Sequence, residues 1–173
     1  MRYRLLDTPL GPFVILRHDD RRLTTTFVSG ESDRLLRGGQ RDDTMEPELH
    51  DRFARYFAGE PADFSIVPTP DGPPFYRRCW DAARSIPHGQ TRTYGQLAVM
   101  AGSSPGAARS AGQAMRHNPL GIIIPCHRVL ASGGRLGGFG GRTEPDSPAL
   151  SLKRRLLTHE KRCQEPFPAQ NGS

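Results

Sequence analysis

A chain of 173 residues, 35% hydrophobic and carrying a net charge of +6, suits one large domain or two small ones sharing an interface. Its apolar run Ile122-Ile123-Ile124 is far short of the ~20 residues a membrane span needs, and Met1-Arg2-Tyr3-Arg4 leads into Asp7-Thr8-Pro9 rather than a signal-peptide core, so a soluble, cytoplasmic protein is expected. The cysteines at 79, 126 and 163 are odd in number and widely spaced, which argues against a disulfide framework or a CxxC metal site.

Three short strands are predicted first, over Arg2–Leu6, Pro12–His18 and Leu23–Phe27, with turns at Thr8–Pro12 and Asp19-Asp20. The polar stretch Ser29–Thr44 reads as a long loop. Pro47 marks a helix start, Leu49, Phe53, Tyr56 and Phe57 follow at helical spacing, and Gly59 with Pro61 ends the helix. Ser65–Pro74, with prolines at 68, 70, 73 and 74, reads as a rigid extended linker. Beyond it Phe75, Cys79, Trp80 and Ala83 share a helical face that stops at Ile86-Pro87-His88-Gly89. Thr93 can cap a short helix carrying Leu97, Ala98 and Ala101. Gly102-Ser103-Ser104-Pro105 turns into another helix that runs to about His117. Two short helices joined by a glycine-containing turn are a helix-turn-helix signal.

The charge is unevenly spread. Residues 1–74 hold ten Arg/Lys against thirteen Asp/Glu, whereas residues 75–162 hold fourteen against four. A basic second half points to a polyanion read by that half. The second helix of the pair carries small residues, Ala107, Ala108, Ser110, Ala111, Gly112 and Ala114, with Arg109 and Arg116 on the same helix. Small side chains permit close approach, either to a neighbouring helix or to DNA, and the basic surroundings favour DNA.

Gly121–Pro125 then reads as a buried strand running into Cys126, and a loop rich in glycine (133, 134, 137, 138, 140, 141) surrounds Phe139. That loop lacks the Lys-Ser/Thr ending of a phosphate-binding loop. A last helix is expected over about Ala149–Arg162. A cysteine beside a histidine is weak evidence alone: an arbitrary cysteine is most often a small buried apolar residue, and no second ligand pair completes a metal site.

The motif Ile124-Pro125-Cys126-His127-Arg128-Val129 resembles the active-site signature of the O6-alkylguanine-DNA alkyltransferases. So, in order, do Phe75 to Trp80, Ile86-Pro87-His88-Gly89, Thr93-Tyr94-Gly95-Gln96-Leu97-Ala98, Ala107-Ala108-Arg109, Gly112-Gln113-Ala114-Met115, Asn118-Pro119 and Leu156-Leu157-Thr158-His159-Glu160. The resemblance is strong over 75–162 and weaker over 1–70.

It implies a mixed α/β (α+β) fold. A small N-terminal β-sheet domain of ribonuclease-H-like topology, residues 1–70, would pack on a mostly helical winged-helix, helix-turn-helix domain, residues 71–162; residues 163–173, with Pro166 and Pro168, read from the residues themselves as a disordered tail. The implied activity is irreversible, single-turnover transfer of a methyl or larger alkyl group from O6 of guanine, and from O4 of thymine, to the protein's own cysteine by base flipping. The implied partner is double-stranded DNA containing O6-alkylguanine, met by a monomer with no cofactor and no metal. Cys126 would be the nucleophile, His127 its base acting through a water, Glu160 the acid that orients His127, Asn118 a member of that network and Tyr94 the proton donor. Arg109 would fill the stack vacated by the flipped base. Arg116, Thr93, Ala107, Ala108, Ala111, Gly112 and Ser132 would complete the DNA contact. Met115, Val129, Leu136, Phe139 and Gly140 would wall the pocket, with backbone of Cys126, Val129 and Gly140 reading the guanine edge.

Phe139 stands where the family commonly has tyrosine, Gly140 where it has alanine or a small polar residue, and Thr143–Pro148 belongs to an insertion beside the pocket. A non-catalytic damage-recognition protein and a plain helix-turn-helix regulator are the competing readings. The first would lack the cysteine. The second leaves Pro125–Val129 and Glu160 unexplained.

Overall fold

A computed structural model describes residues 1–29, 34, 36–60 and 62–162. The expected tail, 163–173, lies outside the described residues. The first half opens with β1 (Arg2–Leu6), β2 (Phe13–Arg17) and β3 (Leu23–Phe27), which pair antiparallel. Phe13 and Ile15 alternate with Val14 and Leu16, and all four are fully buried. β2 is thus covered on both faces, which explains its unbroken apolar run.

The stretch read as a loop over 29–44 contains a strand, β4 (Gln40–Arg41), which pairs parallel with β1 and gives the order β3-β2-β1-β4. Two polar residues carry no alternation from which it could be read. Residues 30–33 and 35 of that stretch lie outside the described set. Helix α1 (Pro47–Ala58) covers the sheet with Leu49, Phe53, Tyr56 and Phe57, and Gly59 closes it at φ 88, a left-handed cap that glycine adopts without a side-chain penalty. Phe13 meets Phe27, Phe53 and Phe57 at ring distances of 5.1, 4.7 and 5.4 Å.

The proline-rich segment does not float. Arg84 reaches back from α2 (Pro74–Arg84) and donates to the carbonyls of Val67 at 2.7 Å and Phe64 at 2.9 Å. Helices α3 (Tyr94–Met100) and α4 (Ala108–Arg116) flank a turn that passes through Gly102 at φ 74 and a 3₁₀ turn, Pro105–Ala107. Trp80 of α2 fastens them by donating from its indole to Ala114 O at 2.9 Å. Strands β5 (Arg92–Thr93) and β6 (Val129–Leu130) pair parallel beside this helix pair, and α5 (Pro148–Arg162) closes the chain. One apolar cluster runs through both halves, from Phe13, Phe53 and Tyr56 to Trp80, Leu97, Ile124 and Leu156. Among the described residues no helix is long and apolar enough to cross a membrane.

Candidate active site

Cys126 is not reached along a strand. Residues 121–124 form a turn, with Ile122 at φ 71. A β-branched residue is strained there by about 1–3 kcal/mol. Asn118 holds the turn at both ends: its Oδ1 accepts from Leu120 N at 2.9 Å and its Nδ2 donates to Ile124 O at 2.8 Å. Ile122, Ile123 and Ile124 are all buried, so burial and the Asn118 clamp together offset the strain. A short β-branched run cannot by itself distinguish this turn from a strand.

Cys126–Arg128 then make one 3₁₀ turn, closed by Arg128 N donating to Pro125 O at 2.9 Å. This turn, unlike a strand, sends His127 and Arg128 inward together and leaves Cys126 half-buried. Both inward side chains meet Glu160, which is fully buried on α5. Oε1 of Glu160 accepts from His127 Nε2 at 2.6 Å, Arg128 Nη2 at 2.9 Å and Tyr56 Oη at 2.8 Å. Oε2 accepts from Arg128 Nε at 2.9 Å and Gly89 N at 2.9 Å. Burial alone raises the Glu160 carboxyl, but the hydrogen bonds and charges of His127 and Arg128 outweigh it and hold the group well below the usual carboxylate range. An ionised carboxylate only accepts. His127 therefore carries its proton on Nε2 and keeps Nδ1 as the acceptor of its ring. Burial lowers His127 against the opposing pull of Glu160, which favours this neutral form.

The Cys126 thiol is pushed up by burial, and drawn down by a hydrogen bond with Asn118 and by the charge of Lys153. Like Arg128 and Tyr56, Lys153 is a residue that reading the sequence missed. It is fully buried, and its ammonium donates to Val129 O and Leu136 O at 2.6 Å each and to Gly138 O at 3.2 Å. It also lies 5.8 Å from the ring centres of both Tyr94 and Phe139. Its signal was present: Leu150, Lys153, Leu156 and Glu160 form the buried stripe of α5, and a cation in such a stripe needs a partner. Tyr94 Oη donates to Gly138 O at 3.1 Å, and burial pushes its phenol up to about 12. Cys126, Tyr94, Phe139 and the loop over 136–140 thus converge around one ammonium.

The DNA-facing assignments divide. Arg109 is exposed near the start of α4, Ala107, Ala108 and Gly112 are half-buried, and Ser132 is exposed. Ala111 has no exposed surface, so the expectation that it meets DNA is corrected: the small residue serves the packing of α4 onto the core. Arg116 is exposed and lies against Gly141, where a Cβ would come within 3.0 Å of its Nε. Thr93 Oγ1 accepts from Gln96 N at 3.2 Å while Gln96 Oε1 accepts from Thr93 N at 2.8 Å, a reciprocal cap on α3.

Of the expected pocket walls, Leu136 and Phe139 are half-buried and Gly140 is exposed at φ 54. Met115 is 6% exposed and belongs to the core cluster. Val129 is fully buried, so its side chain backs the site instead of walling it, a second correction. Cys79 is sealed in the core, its thiol pushed up to about 11 by burial. Among the described residues no group of three or more His, Cys, Asp or Glu side chains is placed to hold a metal ion.

The sequence family described as "6-O-methylguanine DNA methyltransferase, DNA binding domain" matches residues 74–162, and "6-O-methylguanine DNA methyltransferase, ribonuclease-like domain" matches residues 1–70. A methylated-DNA--protein-cysteine methyltransferase of Mycolicibacterium paratuberculosis is 36% identical over 155 residues, covering 90% of this chain and 93% of that protein. The crystal structure of Mycobacterium tuberculosis O6-methylguanine methyltransferase is 36% identical over 96% of both chains, with a TM-score of 0.78. A second Mycobacterium tuberculosis structure, titled as a complex with DNA, is 35% identical over 94% of both chains, with a TM-score of 0.77.

Proposed function

The chain belongs to the 6-O-methylguanine DNA methyltransferase family, and on that premise we propose that it repairs double-stranded DNA by moving the alkyl group of an O6-alkylguanine onto Sγ of its own Cys126, once. The observation that carries the reading is the buried His127–Glu160 pair directly behind a half-buried cysteine. A thiol is a poor nucleophile until it loses its proton. His127 Nδ1 takes that proton through a bridging water, and Glu160 steadies the imidazolium that forms.

Sγ then bonds to the alkyl carbon as the carbon–O6 bond breaks. The electron pair leaves on the guanine, and Tyr94, held protonated by its raised pKa, supplies the proton that neutralises it. Lys153 favours the thiolate by its charge and keeps the loop of Leu136 and Gly138 against the nucleophile. The product is a thioether, which no group here hydrolyses, so one protein repairs one base. Reaching O6 requires the guanine to leave the stack, at a cost of a few kcal/mol. Exposed Arg109 on α4 takes its place, while Ala107, Ala108 and Gly112 bring the helix backbone close to the groove. The segments 1–70 and 71–162 act as one unit, a monomer working in the cytoplasm.

Incubation with duplex carrying one O6-methylguanine should add one methyl mass to Cys126 and restore one equivalent of guanine. Repeated turnover, or label on Cys79 or Cys163, would overturn the reading. Undamaged Cys126 with tight binding to the lesion would instead establish the damage-recognition alternative.

A further inference from the structure

We propose that Tyr56, on α1 of the N-terminal half, is a positioning residue of the alkyl-transfer site, its hydroxyl governing how much negative charge Glu160 presents to His127. The proposal rests on the alkyl-transfer reading above. The geometry is specific. Tyr56 Oη donates at 2.8 Å to Oε1 of Glu160, the same oxygen that accepts from His127 Nε2 at 2.6 Å. Tyr56 is 2% exposed and Glu160 and His127 are 0% and 1% exposed, so water does not dilute this contact. In such surroundings a donor on a carboxylate takes up part of its charge. Tyr56 is separated by 104 residues in sequence from Glu160. A half of the chain that holds neither the cysteine nor the histidine therefore reaches the oxygen that steadies the base.

The ring is fixed independently of the hydroxyl. Phe57 lies 5.1 Å from it, Phe64 6.5 Å, His88 5.9 Å and His159 5.6 Å, and His159 Nε2 meets Tyr56 O at 3.0 Å. The charged and titratable groups around the His127–Glu160 pair are Arg128 and Cys126 on its own turn, Lys153 and His159 on α5, and His88 in the loop after α2. Arg128 donates to both Glu160 oxygens, so the carboxylate stays in place when the phenol is removed. What changes is its uncompensated charge. A more negative Glu160 favours every protonated form of the His127–Cys126 pair, and so moves the acidic limb of the reaction to higher pH.

The test is the pH dependence of inactivation by free O6-benzylguanine, which isolates the site from DNA binding, compared between wild type and Tyr56→Phe. The acidic midpoint is expected to rise by roughly half to one pH unit in Tyr56→Phe. A control, Phe57→Leu, loosens the same helix without touching Glu160. It should melt at lower temperature and keep the wild-type midpoint. Superimposable midpoints for wild type and Tyr56→Phe overturn the proposal, as does an equal shift in Phe57→Leu, which would make the effect one of helix seating. If wild-type protein itself gains no mass on Cys126, the alkyl-transfer reading fails and this inference falls with it.

Discussion

Thr25 and Gly121 are joined by two hydrogen bonds across the seam between the halves. Gly121 N donates to Thr25 O at 2.8 Å, and Thr25 Oγ1 donates to Gly121 O at 2.9 Å. Thr25 N also donates to Pro119 O at 3.0 Å. The edge of the N-terminal sheet thereby fixes the turn that delivers Cys126. A Cβ on Gly121 would lie 2.8 Å from Thr25 O, a backbone atom that cannot swing aside. Gly121→Ala should therefore cost more than Thr25→Val, about 2–3 kcal/mol against about 1 kcal/mol. Urea unfolding measures both, and Gly121→Ala should also slow methyl transfer several-fold. Equal, small losses would show that the seam does not set the turn.

Glu160→Gln leaves Arg128 buried without its counter-charge and offers an amide N–H₂ where only acceptors fit. Breaking a buried pair this way costs about 3–5 kcal/mol, and single-turnover transfer should fall at least a hundredfold, as expected from loss of base orientation. The wild-type pair also predicts acid sensitivity. Glu160 is held below its ordinary value of 4.5, so its contribution is complete above that pH and is lost as the pH falls below it. His127, lowered by burial, must charge on unfolding below its ordinary 6.5, which acts in the same direction. Stability measured from pH 7 down to 3 should fall in wild type, and more shallowly in Glu160→Gln.

Lys153→Met removes the donor to three carbonyls. Stability should drop by about 3 kcal/mol, and the reaction with free benzylguanine should slow about tenfold or more because the substrate loop is released. Burial brings Lys153 down to about 8. Between there and its ordinary 10.5 the folded chain sheds a proton that the unfolded chain keeps, so this group's contribution to stability rises with pH across that window. The neutral amine has two N–H groups for three carbonyls, however, so activity should decline above about pH 8. A variant that kept this decline without Lys153 would assign it elsewhere.

Arg109→Ala should slow repair of duplex DNA far more than reaction with the free base, since Arg109 is exposed on α4 and among the described residues makes no hydrogen bond or ion pair with Cys126, Asn118, His127, Lys153 or Glu160. Parallel kinetic series on the two substrates decide this. Equal slowing would exclude the intercalating role.

Much of the fold was legible because its elements are bounded by local chemistry. Pro47, Gly59 and the Thr93–Gln96 cap mark helix ends whose signals act within a few residues. The turn before Cys126 was not legible, because a short β-branched run does not separate turn from strand, and beside the Asn118 clamp the turn is held by Thr25, ninety-six positions away. At the site, Cys126, His127 and Glu160 stand out through ordered motifs, and the contact of His127 with Glu160 follows from the inward 3₁₀ turn. Ala111 and Val129 were misplaced for a shared reason: small or β-branched residues suit a core as well as a binding face, and only tertiary packing separates the two. Lys153, Arg128 and Tyr56 acquire their roles through partners on distant elements, which no local window contains.

The three carbonyls gathered by Lys153 also bear on the insertion that follows them. Leu136 and Gly138 are tethered from beneath, Phe139 and Arg142 close on each other through paired backbone bonds of 2.9 Å, and Ser147 accepts Ser151 N at 3.0 Å where α5 begins. Residues 142–146, all exposed, thus form an eyelet hung between two fixed posts. Lengthening or trimming it should alter the exposed edge beside Phe139 and leave the Lys153 contacts beneath in place. The selectivity of the entrance and the reactivity of the thiol should consequently respond to different substitutions, the first to changes within residues 142–146 and the second to changes at Lys153.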